Sequence, residues 1–213
     1  SVPFNQRLPE SERPAVPRIT VPSQFDTPSG DSTSTQEAFG RVLADLSRQH
    51  PALADKIVTT SPDVTVSTNL GSWVNKRGIF GSKQHSDVFK TQRIVSALKW
   101  EISPTGQHIE LGIAENNLFI LLAALGLSGP LFGERLIPIG TIYDPFISRG
   151  LDALNYACYQ EARFILAGTP SGISLAPEGG AHQSVYQPLV GLGQPGLTMF
   201  EPAYADELAE MMR

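Results

Sequence analysis

The block Leu118-Phe-Ile-Leu-Leu-Ala-Ala-Leu125 constrains the fold more than any other stretch of the chain. The segment Asn116–Leu127 around it suits a helix, and that helix is apolar on every side, whereas an ordinary surface helix carries one apolar stripe. Such a helix has to be buried, in the core or against another subunit. It falls well short of the ~20 residues that a membrane span needs. One acid, Glu115, stands at its entrance in His108-Ile-Glu-Leu-Gly-Ile-Ala-Glu-Asn-Asn117. The plain explanation is a first-turn acid stabilised by the helix dipole and free N–H groups. The functional one is a carboxylate held where water is scarce, which must have a polar partner and whose protonation can be tuned by it.

The rest of the chain alternates strand and helix signals. Ser34-x-x-Glu37 forms a capping box, and Phe39, Val42, Leu43 and Leu46 follow at helical spacing, which predicts a helix ending near Pro51. Lys56–Thr60, Ile109–Ile113, Arg135–Ile142, Arg163–Gly168 and Gly196–Phe200 read as strands, and Ile147–Ala162 and Ala203–Arg213 as helices. Residues 64–90 are polar and broken by glycines, and predict an irregular excursion; Gly168–Gln183 predicts a long loop. This order predicts an α/β fold with a parallel sheet covered by helices on both faces and its chemistry at the strand C-termini.

Bulk properties set limits on function. A chain of 213 residues, 41% hydrophobic and 17% charged, can bury one α/β core. A formal charge of −5 with scattered Lys and Arg offers no basic face for nucleic acid. A single Cys158 makes no internal disulfide, no signal peptide opens the chain, and no membrane segment is present, so a cytoplasmic protein is expected. Residues 1–33 hold six prolines among Ser, Thr and Gly and read as a linker or extended arm, with the domain over 34–213. The C-terminal amphipathic helix meets no Gly cap or breaker, which points to a piece of a larger protein.

Further residues invite chemistry. Tyr143 and Phe146 flank Pro145 in a strand-to-helix turn, which puts both rings at the C-terminal edge of the sheet unless they are simply core aromatics. Arg149, shortly after, either orients a pocket or pairs with an acid. In Pro177-Glu-Gly-Gly-Ala-His-Gln183 the two glycines let the backbone approach a ligand and His182 can exchange protons near neutral pH. Glu178 and His182, even completed by His108, make a poor metal ligand set, so no metal site is expected in this chain. Asp63 in Ser61-Pro-Asp63, with Asn69, is equally compatible with an ordinary turn. His50 and His85 read as exposed. Gly191-Leu-Gly-Gln-Pro-Gly196 spells a dinucleotide fingerprint but contains a proline and precedes no helix, and reads as a loop.

Gly-Ile-Ala-Glu115, Tyr143-x-x-Phe146, Gln160-Glu-Ala-Arg163, Glu178-Gly-Gly-Ala-His182 and Glu201-Pro-Ala-Tyr-Ala205 occur in one order over residues 34–213. Together they resemble the pyrimidine-binding domain of thiamine-diphosphate enzymes of the transketolase superfamily, most nearly the homodimeric E1 component of 2-oxo acid dehydrogenases. The resemblance implies that Glu115 meets a ring nitrogen of the aminopyrimidine and turns the coenzyme into its own base. It implies that Phe146 stacks on that ring, that Tyr143 lies near its amino side, that Asp63 approaches the thiazolium edge, and that His182 contacts substrate at the entrance. Arg149 continues the same pattern as a coenzyme-site residue. Transketolase proper carries Gly-Glu-Asp-Gly-Pro-Thr-His-Gln where this chain has Pro-Glu-Gly-Gly-Ala-His-Gln, which favours the E1 side, although Gln183 is shared with transketolase. The Gly-Asp-Gly signature of the diphosphate and Mg2+ half does not occur in these residues. In the family that half belongs to another domain, supplied across a subunit interface. The resemblance therefore implies a homodimer, a diphosphate-binding domain elsewhere in a longer chain, and a lipoyl-bearing acyltransferase as acceptor if the enzyme is an E1. Transketolase and a non-catalytic regulatory domain of the same fold are the alternatives.

Overall fold

The computed structural model describes residues 15–26, 32–83, 92 and 100–213. The chain opens with α1 (Thr35–Gln49), α2 (Pro51–Ala54), β1 (Ile57–Ser61), α3 (Gly71–Arg77), β2 (Ile79–Phe80), β3 (Ile102–Ser103) and β4 (His108–Glu110). It continues through α4 (Glu115–Gly126), α5 (Ser128–Phe132), β5 (Ile137–Ile142), a 3-10 segment (Asp144–Gly150) and α6 (Leu151–Tyr159). It closes with β6 (Ile165–Gly168), α7 (Gln187–Gly193) and α8 (Ala205–Met212). The six strands form one sheet in the order β3-β2-β4-β1-β5-β6, and every neighbouring pair is parallel. The expected α/β architecture is the one found.

Alternation along the central strands explains the two layers of helices. On β5, Ile137 and Ile139 pack with Phe39, Val42, Leu43, Trp73 and Val74 of α1 and α3. Ile142, on the opposite pleat, packs with Leu118, Phe119 and Leu122 of α4 and Leu154 of α6. β6 divides in the same way, with Ile165 and Ala167 facing the first cluster and Leu166 the second. Gly140 is what lets α4 lie against β5, since a Cβ there would come 2.6 Å from Leu122 Cδ1 and 3.2 Å from Leu118 Cδ1. Ser34 caps α1 by accepting the Glu37 N–H at 3.1 Å, as its capping box predicts. Phe25, within the proline-rich stretch, is buried in the first cluster, and Ile19 packs against it.

Several sequence expectations need correction. Residues 64–70 and 81–83 are turn and bend, as expected, but 71–80 are not irregular: Trp73 and Val74 of α3 are fully buried together with Leu70 just ahead of it, and β2 follows. Polar neighbours and Gly71 hide that stripe in the sequence. Residues 84–91, with His85, lie outside the described residues, as do 1–14 and 27–31. Gly196–Phe200 forms no strand: among the described residues nothing pairs with it, and its Leu197 packs into the second cluster instead. The segment Ile147–Ala162 begins as a 3-10 turn under Pro145 and becomes α-helical only at Leu151. The glycine-rich Gly191–Gly196 is partly helix, as its first three residues end α7.

The all-apolar helix α4 is covered on one side only. Leu118, Phe119 and Leu122 are fully buried, whereas Ile120 is 54% exposed. Among the described residues no helix is long and apolar enough to cross a membrane.

Candidate active site

Because the strands are parallel, the segments leaving β1, β4, β5 and β6 all emerge at one edge of the sheet. Those four segments carry every site residue expected from the sequence. Glu115 follows β4 as the first residue of α4, only 8% exposed and without a side-chain cap ahead of it. Tyr143 follows β5 directly. Pro145, the second residue of the 3-10 segment, brings Phe146 round, with the Phe146 N–H donating to Tyr143 O at 2.9 Å. The two rings stack with centroids 6.0 Å apart and planes at 25°.

Arg149 joins these groups. Its guanidinium is ion-paired to the Glu115 carboxylate, and its central carbon lies 3.9 Å from the Phe146 ring centroid. His182 comes from the segment after β6 and sets its ring edge-on to Phe146 at 5.4 Å and to Tyr143 at 6.1 Å. Among the described residues its Nδ1 is buried without a hydrogen-bond partner, and Nε2 lies 3.8 Å from Glu178. Glu115, Arg149, Phe146, Tyr143 and His182 are thus one continuous set of contacts.

Asp63 is not part of that set. Its side chain is exposed, its φ is +66°, and it participates through its backbone N–H, which donates to Glu110 Oε1 at 2.9 Å. The same turn does reach the aromatics through Ser67, which accepts the Tyr143 hydroxyl proton at 2.8 Å.

Sequence reasoning missed three residues that hold these segments. Glu110 receives Asp63 N–H and the Thr65 hydroxyl, and lies 3.4 Å from His108 Nε2. Burial pushes its carboxyl up, but hydrogen bonds from His108, Thr65 and Asp63 outweigh that and hold it below the ordinary carboxylate value. His108 is fully buried between Thr59 Oγ1 at 2.9 Å and Thr65 Oγ1 at 3.0 Å. It is therefore engaged with hydroxyls and not with Glu178 and His182. Among the described residues no cluster of three or more metal-ligating side chains occurs. Asp144 accepts Gly172 N–H at 2.8 Å and the Ser184 hydroxyl at 2.6 Å, tying both ends of the His182 segment to the residue between Tyr143 and Phe146. The signal for Glu110 and His108 was their i, i+2 spacing on a strand, which puts both on one face; Asp144 had none. A cavity of about 480 Å³ beside β6 reaches Asp144 but includes none of Glu115, Tyr143, Phe146 and His182.

A buried carboxylate and an aromatic face that together engage one planar, N–H-bearing group can hold a flat, nitrogen-bearing heterocycle, and the adjacent imidazole can exchange a proton with a second molecule. The comparisons agree with that chemistry. The family model described as "Transketolase, pyrimidine binding domain" matches residues 31–213. The chain is 28% identical over 181 residues to the pyruvate dehydrogenase E1 component of Corynebacterium glutamicum, covering 84% of this chain and 19% of that protein. It is 23% identical over 197 residues to human transketolase, covering 92% and 26%. The solved structure of transketolase from Leishmania mexicana superposes with a TM-score of 0.65 at 22% identity, over 85% of this chain and 23% of that one. The chain thus spans about a fifth to a quarter of the length of these relatives. The family implies thiamine diphosphate, and a buried Glu115 joined through one planar group to the Phe146 ring fits its aminopyrimidine end. The chain belongs to the transketolase pyrimidine-binding domain family.

Proposed function

We propose that this chain is the pyrimidine-binding domain of a thiamine-diphosphate-dependent, E1-like 2-oxo acid dehydrogenase that acts on pyruvate and passes the acyl group to a lipoyl-bearing acyltransferase. The observation that carries this reading is the buried Glu115 carboxylate within one contact set with Phe146, Tyr143 and His182. When bound, thiamine diphosphate supplies the carbon nucleophile and the electron sink for loss of carbon dioxide from a 2-oxo acid.

The chain's own residues do the rest. Glu115 holds a proton at the pyrimidine nitrogen, shielded from competing water by its burial. Phe146 and Tyr143 align the heterocycle, with Tyr143 oriented through Ser67. His182 would meet the substrate, and Asp63, on the turn after β1, would approach the thiazolium end. Arg149 belongs to the coenzyme site through Glu115. The diphosphate and Mg2+ are held by another domain of a longer cytoplasmic protein. Residues 1–33 serve as an arm ahead of the domain at 34–213. A homodimer formed through the exposed side of α4 completes the site.

Transketolase activity is the second reading, favoured by His182-Gln183 and by the likeness to transketolases. A non-catalytic regulatory domain is the third. The longer protein containing this chain separates them. Pyruvate-dependent reduction of an artificial electron acceptor marks an E1, and two-carbon ketol transfer between sugar phosphates marks a transketolase. Neither activity, in a protein that is folded and supplied with thiamine diphosphate and Mg2+, leaves the regulatory domain.

A further inference from the structure

The guanidinium of Arg149 meets two surfaces at once, the Glu115 carboxylate and the Phe146 ring. The proposed function assigns those same two surfaces to the coenzyme's aminopyrimidine, one for a ring nitrogen and one for a planar face. A guanidinium is itself flat, delocalised and rich in N–H donors, so it satisfies both surfaces as such a heterocycle would. Of the three groups around the Phe146 ring, the guanidinium lies nearest its centroid, at 3.9 Å, against 6.0 Å for the stacked Tyr143 and 5.4 Å for the edge-on His182.

We propose that Arg149 is a place-holder for the coenzyme ring: it sits in the pyrimidine position of the site and swings outward when the aminopyrimidine enters. The inference rests on the coenzyme reading above. Glu115 is the fixed member of the pair, with its side chain only 10% exposed, while the Arg149 side chain is 53% exposed and has a route to solvent. Arg149 lies at the end of the 3-10 segment, so the movement requires side-chain torsions and no rearrangement of the sheet. The device keeps a buried carboxylate compensated until its heterocyclic partner arrives. It also lowers apparent coenzyme affinity by the fraction of molecules in which Arg149 is turned inward.

The test is calorimetric titration of thiamine diphosphate with Mg2+ into the longer protein, comparing the parent with Arg149→Ala and Arg149→Gln. Both substitutions are at a half-exposed position, and unchanged melting temperatures establish that the fold is kept. Removing the place-holder tightens binding by roughly three- to tenfold, as expected for a competing conformer that dominates the population. Binding that is unchanged or weaker in both variants overturns the proposal and makes Arg149 a positive coenzyme contact. Glu115→Gln distinguishes the coenzyme site from the place-holder: it weakens coenzyme binding if the coenzyme reading holds, whatever Arg149 does. No binding by the parent or any variant at millimolar coenzyme would remove the coenzyme reading and the place-holder together.

Discussion

Glu115 and Arg149 stand 34 positions apart, yet their contact organises the site. The carboxylate is buried at a helix start, and a buried charge persists only with a partner. In the longer protein, Glu115→Gln keeps the shape and removes the proton exchange, and is expected to lower steady-state decarboxylation about a hundredfold or more, the usual span of general acid–base contributions. An unchanged rate would show that the carboxylate is only a helix-terminus charge. Glu110 makes a different prediction, about pH. Its folded-state pKa is depressed, so its contribution to stability is complete above the ordinary carboxylate value and lost as pH falls through the depressed one. Urea midpoints of the parent and Glu110→Gln should therefore differ most near neutrality, and the gap should narrow below about pH 4.5. A gap that widens on acidification would contradict the assigned sign. Glu115 was legible as a candidate because an acid ahead of an all-apolar run is a local anomaly. Asp144 was not, because a lone Asp before Pro looks like any turn, and its partners Gly172 and Ser184 are distant in sequence.

At the scale of elements, α4 owes its seat to two glycines on neighbouring segments. A Cβ on Gly140 would meet the flexible ends of Leu118 and Leu122, whereas one on Gly150 would come 2.2 Å from Phe119 Cδ2 and 2.5 Å from Cε2. Leucine termini can rotate aside, but a packed ring has to move as a body. Gly140→Ala is thus expected to destabilise the chain by about 1 kcal/mol and Gly150→Ala by about 2–3 kcal/mol, measured by denaturant unfolding. The reverse order would mean that Phe119 is less constrained than its burial implies. Periodicity foretold α1, β1, α4, β5 and β6, where strong patterns run for a whole element. It failed for α3, whose buried Trp73 and Val74 are surrounded by polar residues. It failed also for Gly196–Phe200, since strand-like composition cannot provide a ladder partner.

For the whole molecule, α4 carries a prediction about assembly. Its inward side covers the sheet, while Ile120 is left 54% exposed on a helix whose polar residues are confined to its first turn. Ile120→Lys should leave the circular dichroism spectrum unchanged and shift the protein toward monomer in sedimentation velocity, if that side forms the proposed dimer seam. A monomeric parent would remove α4 as the interface. Calorimetry on the 213-residue chain alone should detect little thiamine diphosphate binding, since no Gly-Asp-Gly segment is present to hold the diphosphate. Tight binding by the chain alone would contradict the division of the site between domains.

What the amino-acid sequence determined by itself is local: the alternation of strands and helices, the Ser34 cap, and an acid at the mouth of a helix that has to be covered. These follow from side-chain period and capping chemistry, which act over a few residues. Only the tertiary structure decided that Arg149 meets Glu115 over Phe146, that Tyr143 reaches Ser67, and that His182 closes on both rings. Those contacts exist because β4, β1, β5 and β6 lie side by side and in parallel, delivering four distant segments to one edge. Strand order is a property of the packed sheet, and no short-range pattern encodes it.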